Sequence, residues 1–444
     1  MAAAVARARD AAGQPAFTVI GVDLPNAAGR ERIDAVNAGR FPFTTVDQQL
    51  IEAARQGHDA GNLRATADPA VYAEADVVIV DVNLDLKTTA SGPALALDGL
   101  RHAVRDVATH IKPGALVLVE TTTPPGTTEK IVAPEIAAIL KSRGLAGDAV
   151  LVAHSYERVM PGADYLDSIV NYWRVYAGCT PAAADAAEAF LSQVINVREY
   201  PLTRLASPTA SETAKVLENS YRAVNIAFIE EWARFAEGVG VDLFTVIDAI
   251  RKRPTHSNMR QPGFGVGGYC LTKDPLFAGL ASREIFHADR DFPFSRQAVA
   301  LNNAMPLVSV DRLEQELGAL RGKSVLLLGV SYRPDVGDTR YSPSAIFLEE
   351  AQKRGARVTC HDPLVVEWPE VQATLSKSLP SPQGVDAVVF AVAHRDYQQI
   401  DVRSWLGDAR PLILDANRVL TDAQRRAAIA AGCRCYSIGR GLES

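Results

Sequence analysis

Lys323-Ser-Val-Leu-Leu-Leu-Gly-Val330 is an apolar run that stops at a glycine, and Arg357-Val-Thr-Cys-His-Asp362 is a second run that stops at an acid. Between them come a loop and a helical pattern from Ser344 to Lys353. Strand, loop, helix, strand, acid is the repeating unit of a parallel sheet wound with helices. Ala387-Val-Val-Phe-Ala-Val392 and Pro411-Leu-Ile-Leu-Asp415 add further strands, so the C-terminal part reads as an open α/β domain.

The same alternation occupies Phe17 to about Val119. Its strands are Phe17-Thr-Val-Ile-Gly-Val-Asp23, Asp76-Val-Val-Ile-Val-Asp81 and Ala115-Leu-Val-Leu-Val-Glu120. A strand ending in Asp23 stands where nucleotide-binding sheets place the acid that binds the adenosine ribose hydroxyls. The chain opens, however, in a helix-like Met1 to Ala12, with no earlier strand. In such sheets the first strand is central, and its turn carries the Gly-x-Gly-x-x-Gly that lets a pyrophosphate approach a helix N-terminus. The expectation is an N-terminal half that lacks this strand and turn, in a sequence that starts about two dozen residues late.

A long helix is predicted from Thr209 to Glu237. Leu217, Tyr221, Val224, Phe228, Trp232 and Phe235 recur at steps of three and four residues and form an apolar stripe that requires a packing partner. Lys215, Asn219 and Arg222 share another face of it, which on spacing alone reads as a solvated surface. A further helical stretch runs around Phe294 to Leu320.

At 444 residues the chain exceeds one hydrophobic core, and about two or three domains are expected. The net charge of −6 comes from interspersed acids and bases without a basic run, which argues against nucleic acid and membrane surfaces as partners. Met1 to Ala16 lacks the apolar core of a secretory signal, and a cytoplasmic address is expected. Cys179, Cys270, Cys360, Cys433 and Cys435 are too few and too unevenly placed for a disulfide framework, and their spacing fits no zinc site, so no metal is expected.

One cysteine stands apart. Gly263-Phe-Gly-Val-Gly-Gly-Tyr-Cys-Leu-Thr-Lys-Asp-Pro275 sets Cys270 in a glycine-dense loop, with Asp274 four residues beyond. Glycines at 263, 265, 267 and 268 suggest unusual φ values or a large group lying against the backbone. A thiol in that setting suggests covalent chemistry.

With Glu212-Thr-Ala-Lys-Val-Leu-Glu-Asn219, Gly329-Val-Ser-Tyr-Arg-Pro-Asp-Val-Gly-Asp-Thr-Arg-Tyr-Ser-Pro343, Glu120-Thr-Thr-Thr-Pro-Pro-Gly126 and Tyr156-Glu-Arg-Val-Met-Pro-Gly162, that segment resembles the nucleotide-sugar 6-dehydrogenases. This family comprises the UDP-glucose, UDP-N-acetylhexosamine and GDP-mannose dehydrogenases. The resemblance implies two Rossmann-like, doubly wound parallel-sheet domains joined by a long central helix. Residues 1–203 would be the NAD-binding domain, 204–303 a central helical dimerisation and catalytic region, and 304–444 the UDP-sugar-binding domain.

The resemblance also implies the reaction, a four-electron oxidation of the sugar C6 alcohol to a carboxylate by two NAD+ in succession, through a thiohemiacetal and a thioester. Cys270 matches the nucleophile. Lys215 and Asn219 match the cation and amide that stabilise the oxyanion and contact substrate. Asp274 matches the acid that positions water and the base network, with a turn cap before Pro275 as its alternative. Thr122 and Glu157 match the water or proton shuttle on the cofactor side, with a loop hydroxyl as the alternative for Thr122. Asp23, Lys273 and Arg340 match cofactor contacts, and Gly267, Arg253 and Arg333 match substrate contacts. Surface ion pairing remains the alternative for Arg333 and Arg340, and Arg251 competes with Arg253 for a role across a subunit boundary.

Tyr156 to Gly162 and Gln261 to Gly268 are more similar to the N-acetylhexosamine branch, whereas Tyr269 to Asp274 resembles the glucose branch. Asn83-Leu-Asp85 replaces the family's usual Pro-Thr-Pro after the Asp76 strand. The expectation is an NAD-dependent UDP-sugar dehydrogenase, with UDP-N-acetylhexosamine ahead of UDP-glucose, acting as a homodimer or larger homo-oligomer. A nucleotide-sugar-binding protein without catalysis is the alternative.

Overall fold

The structure is a computed structural model that describes residues 1–90, 92–160, 162–371 and 373–443. Pro161 of the Tyr156–Gly162 motif therefore lies outside the described residues. The chain divides into two compact units. One comprises Met1–Glu218 with Phe277–Asp291, and the other Asn219–Leu276 with Phe292–Ser444.

The first unit begins with a short helix, α1 (Ala2–Arg7), then β1 (Val19–Val22), α2 (Ala27–Asn37) and β2 (Leu63–Thr66). β3 (Val77–Val80) leads into a hairpin, β4 (Asp85–Thr89) and β5 (Gly92–Ala96), at the position of the altered Pro-Thr-Pro segment. β6 (Leu116–Val119), β7 (Leu151–Tyr156), β8 (Val175–Gly178) and β9 (Thr203–Arg204) follow. β1 and β2 form a two-stranded parallel sheet, while β3-β6-β7-β8-β9 form a five-stranded sheet that is parallel except at β7/β8. Ala3, Ala4 and Val5 of α1 share a buried cluster with Leu50, Leu116 and Leu118, so the small side chains at the start of the chain pack as core.

A single helix, α3 (Pro208–Val239), runs from the first unit into the second. It covers the predicted helix and overruns it slightly at both ends. After it come α4 (Tyr269–Lys273), α5 (Pro293–Leu317), β10 (Ser324–Leu328), α6 (Pro343–Lys353) and β11 (Arg357–His361). β12 (Leu375–Ser376), β13 (Ala387–Phe390), β14 (Leu412–Asp415), β15 (Cys435–Ser437) and β16 (Gly441–Glu443) complete the second unit. The sheet order is β12-β11-β10-β13-β14-β15-β16, parallel except at β15/β16. The chain winds one way from β10 to β12 and the other way from β13 onward. The β10/β13 boundary is thus a switch point, and a crevice opens at the carboxyl ends of these strands.

The loop after β10 leaves at that crevice. Gly329 takes φ 99°, and a Cβ there would stand 2.5 Å from the Val392 Cβ, so both conformation and space call for glycine. Asp362, the acid that ends β11, is turned inward and accepts the amides of Val330 and Ser331 at 2.8 and 3.0 Å. It therefore pins the loop carrying Arg333 and Arg340. Buried clusters pack on this sheet through Val325, Leu327, Phe347 and Leu348 on one side and Leu326, Leu328, Phe390 and Leu406 on the other, which is why these strands read as unbroken apolar runs. No helix among the described residues is long and apolar enough to cross a membrane.

Candidate active site

The glycine loop ends earlier than its sequence suggests. Gly268, at φ 78°, is the N-cap of α4, so Cys270 belongs to the first turn of a short helix and its side chain is exposed. The glycines of the loop have distinct uses. A Cβ on Gly267 would lie 2.4 Å from the Tyr341 carbonyl oxygen, and one on Gly268 would lie 3.0 Å from the Tyr332 ring. The loop can therefore lie flat against the Tyr332–Tyr341 segment. Asn302 of α5 anchors it by accepting from the Val266 amide and donating to its carbonyl, both at 2.8 Å.

Below the cysteine, Asp274 is buried and accepts from Asn219 Nδ2 at 2.9 Å and from Lys273 Nζ at 2.9 Å. An inward carboxylate with two donors departs from a simple turn cap before Pro275. Lys273 also lies over the Tyr269 ring, as does Arg340, at 5.6 and 5.1 Å from its centroid. Arg340 pairs with Asp338, which raises its pKa. Tyr332 is held above the usual phenol range by burial first, then by the charge of Asp338, with Cys270 among the groups close enough to contribute.

Lys215 lies one turn before Asn219 on α3. Both are buried, so this face of the helix is not solvated, although Arg222, grouped with them by spacing, is exposed. Lys215 Nζ donates to the Glu157 carbonyl at 2.9 Å. The Glu157 carboxylate accepts from the Val159 amide, which turns the chain beyond β7.

Thr122 is half-buried in the turn after β6. That turn is clamped by Glu212, a fully buried carboxylate in the first turns of α3. Glu212 accepts from the Gly126 amide at 2.6 Å, the Thr128 amide and hydroxyl at 2.8 and 2.7 Å, and the Thr123 hydroxyl at 3.1 Å. Burial pushes its pKa up to about 7 against the pull of these donors. Beside it, His154 is driven down to about 3 by burial and shares a 2.9 Å hydrogen bond with Ser211. A buried ion pair, Arg174 to Glu120 at 2.8 Å, ties the end of β6 to β8.

Asp23 follows β1, as predicted from the strand-end acid. Its carboxylate accepts Arg32 of α2 through two bonds of 2.6 and 2.9 Å, and that guanidinium lowers its pKa. An ionised acid at this strand end fits a ribose hydroxyl pair, and so the adenosine end of a dinucleotide. Arg253 lies in an exposed turn after the helix that ends at Arg251, and Arg333 is half-buried in the loop after β10.

Sequence reasoning passed over a pocket of about 260 Å3 in the second unit, lined by Arg222, Ile226, Arg260, Gln261, Gly263 and Asn417 among others. Burial, and after it the charges of Arg222 and Arg251, lower the pKa of Arg260, so this side of the pocket gathers cations. The available signal was Arg260-Gln261-Pro262 abutting the glycine loop. Asn417 is far off in sequence and gave none, yet its Oδ1 is the atom that a side chain on Gly263 would strike.

Two nucleotide-binding α/β units, a thiol beside a buried amide–carboxylate pair and an arginine-lined pocket define a class, the dehydrogenases that act on nucleotide-linked substrates. Residues 8–194, 209–304 and 326–422 match, in turn, the NAD binding, central and UDP binding domains of one family, and the chain belongs to that UDP-glucose/GDP-mannose dehydrogenase family. It is similar to the UDP-N-acetyl-D-mannosamine dehydrogenase of Methanocaldococcus jannaschii, with 28% identity over 96% of this chain and 92% of that protein. The enzyme of the same description from Pyrococcus horikoshii is 30% identical, over 91% of each chain. A solved UDP-D-ManNAc dehydrogenase structure from Pyrococcus horikoshii superposes with a TM-score of 0.82 at 27% identity, over 99% of this chain and 96% of the other. The protein is therefore a nucleotide-sugar dehydrogenase with an NAD-binding and a UDP-binding domain.

Proposed function

We propose that the chain oxidises the C6 alcohol of a UDP-N-acetylhexosamine to the carboxylate through a thioester on Cys270. The observation that carries this reading is the buried Asn219–Asp274 pair on the helix and turn flanking the Cys270 thiol. The names of the similar enzymes, UDP-N-acetyl-D-mannosamine dehydrogenases, support the N-acetylated sugar.

Loss of a proton and a hydride from the alcohol gives the aldehyde, to which the Cys270 thiolate adds. Loss of a second hydride from the thiohemiacetal carbon gives the thioester, and water then cleaves the carbon–sulfur bond, releasing carboxylate and thiol. NAD+, when bound, accepts each hydride in turn. Asn219 commits one amide proton to Asp274 and offers the other to the oxyanion, alongside the Lys215 ammonium. Thr122 and Glu157 hold the water and move its proton. Arg222 and Arg260 neutralise the diphosphate, with Gly267 and Arg333 also against the substrate. Asp23, Lys273 and Arg340 serve the cofactor.

The exposed aromatic stripe of α3 pairs two copies into a homodimer, in which Arg253 reaches the partner's substrate. A cytoplasmic address accompanies this reading. Incubating the protein with NAD+ and a panel of UDP- and GDP-sugars tests it, with two NADH expected per UDP-N-acetylhexosamine. Sugar binding without NADH from any member would overturn oxidation and leave a non-catalytic binder. Faster turnover of UDP-glucose would overturn the substrate assignment alone.

A further inference from the structure

We propose that Tyr156 is a positioning residue for this oxidation, an aromatic platform that fixes the Lys215 ammonium group. The inference rests on the reading of Lys215 as the cation that meets the oxyanion. Tyr156 ends β7 and is 1% exposed. Lys215 Nζ stands 5.5 Å from its ring centroid while donating to the Glu157 carbonyl at 2.9 Å.

The choice of partners matters for charge. A carboxylate against Lys215 would hold it just as firmly but would cancel the field meant for the oxyanion. A neutral carbonyl and a π face stabilise a desolvated ammonium while leaving its net charge intact.

The ring itself is braced. Its hydroxyl accepts from Arg158 Nη2 at 3.0 Å, and the Arg158 guanidinium lies 5.3 Å from the ring centroid. Arg158 in turn donates to the Trp173 carbonyl at 2.8 Å and to Glu218 at 3.1 and 3.2 Å. Glu218 lies three residues beyond Lys215 on α3, so one side of the ring is tied to the helix that carries the lysine. Burial keeps the phenol above its usual range and therefore neutral.

The test compares Tyr156→Phe, Tyr156→Leu, Tyr156→Met and Lys215→Ala. Tyr156→Phe keeps the π face and should retain kcat within about twofold. Tyr156→Leu and Tyr156→Met, which lose it, should lower kcat about tenfold with the sugar KM nearly unchanged, the scale of a desolvated cation–π contact. If Lys215→Ala lowers kcat but neither Tyr156→Leu nor Tyr156→Met does, the platform is refuted while the lysine's role stands. If Lys215→Ala leaves kcat intact, the catalytic reading of the lysine fails instead.

An activity-independent measurement uses lysine labelled with 13C and 15N. The Lys215 ε-protons, assigned by their loss in Lys215→Ala, should be shifted upfield by the ring in the unmodified protein and in Tyr156→Phe. Absence of that shift in the unmodified protein overturns the proposal even if the aliphatic variants do not fold.

Discussion

The thiol of Cys270 is placed for exposure, on the first turn of α4, while the groups that would serve it, Asn219 and Asp274, are buried. Serine in its place would present an alkoxide that forms only at far higher pH. Cys270→Ser is expected to lower kcat by at least about a thousandfold. NADH yield should fall below two per sugar, and a carbonyl reagent should trap the aldehyde. Full yield in this variant would remove the covalent route. A second residue-scale prediction concerns Glu230 on α3, whose pKa burial raises to about 7. Arg234 approaches it at 2.8 Å but is not aligned for a hydrogen bond, so compensation is poor. A carboxyl raised in the folded state binds its proton more tightly there than in the unfolded chain. Its stabilising contribution is complete below about pH 4.5 and is lost as pH rises to about 7. Glu230→Gln should therefore gain stability relative to the unmodified protein between pH 5 and pH 8, read as the difference in urea midpoints. The candidates Cys270, Lys215, Asn219 and Asp274 could be singled out in the sequence because each lies in a compact motif. Glu212 takes its meaning from partners 84 to 89 residues away, Tyr156 from Lys215 on a different element and Arg260 from packing, which no local spacing encodes.

At the scale of elements, period decides what can be read. The three-and-four spacing of the aromatic residues located α3 to within a few residues, and the unbroken Val and Leu runs located β10, β13 and β14. The glycines misled about Cys270, because a loop-forming composition ended in a glycine N-cap whose helix begins one residue before the thiol. The short strands β12, β15 and β16 carried too few residues to register a period. The stripe on α3 requires a packing partner by its spacing, yet Leu217, Tyr221, Phe228, Trp232 and Phe235 remain 48–65% exposed in the single chain. Exposed apolar surface of this extent on one helix is what the proposed pairing of two copies would cover. Light scattering should find a dimer for the unmodified protein and a monomer for Trp232→Glu at micromolar concentration, because a charge buried in such an interface has no partner. A monomeric unmodified protein would dismiss the pairing.

For the whole molecule, the division into two units with separate cores has a thermodynamic consequence. The arginine-lined pocket and the β10/β13 crevice both belong to the second unit, so a UDP ligand that engages them has its contacts with one core. Binding to the folded form alone stabilises by about 2.7 kcal/mol at one hundred times the dissociation constant. Calorimetry of the full chain should then show UDP raising one unfolding transition while leaving the other in place. Arg260→Leu should weaken UDP roughly tenfold and abolish most of that shift, since a charge-assisted bond to phosphate contributes about 1.5–3 kcal/mol. Salt should weaken the unmodified protein's binding more than the variant's, as one cation has left the site. A single transition that moves intact with UDP would instead mean that α3, which belongs to both units, welds their stabilities together. Charge inserted on its exposed stripe would then be expected to lower that one transition as well as the oligomeric state.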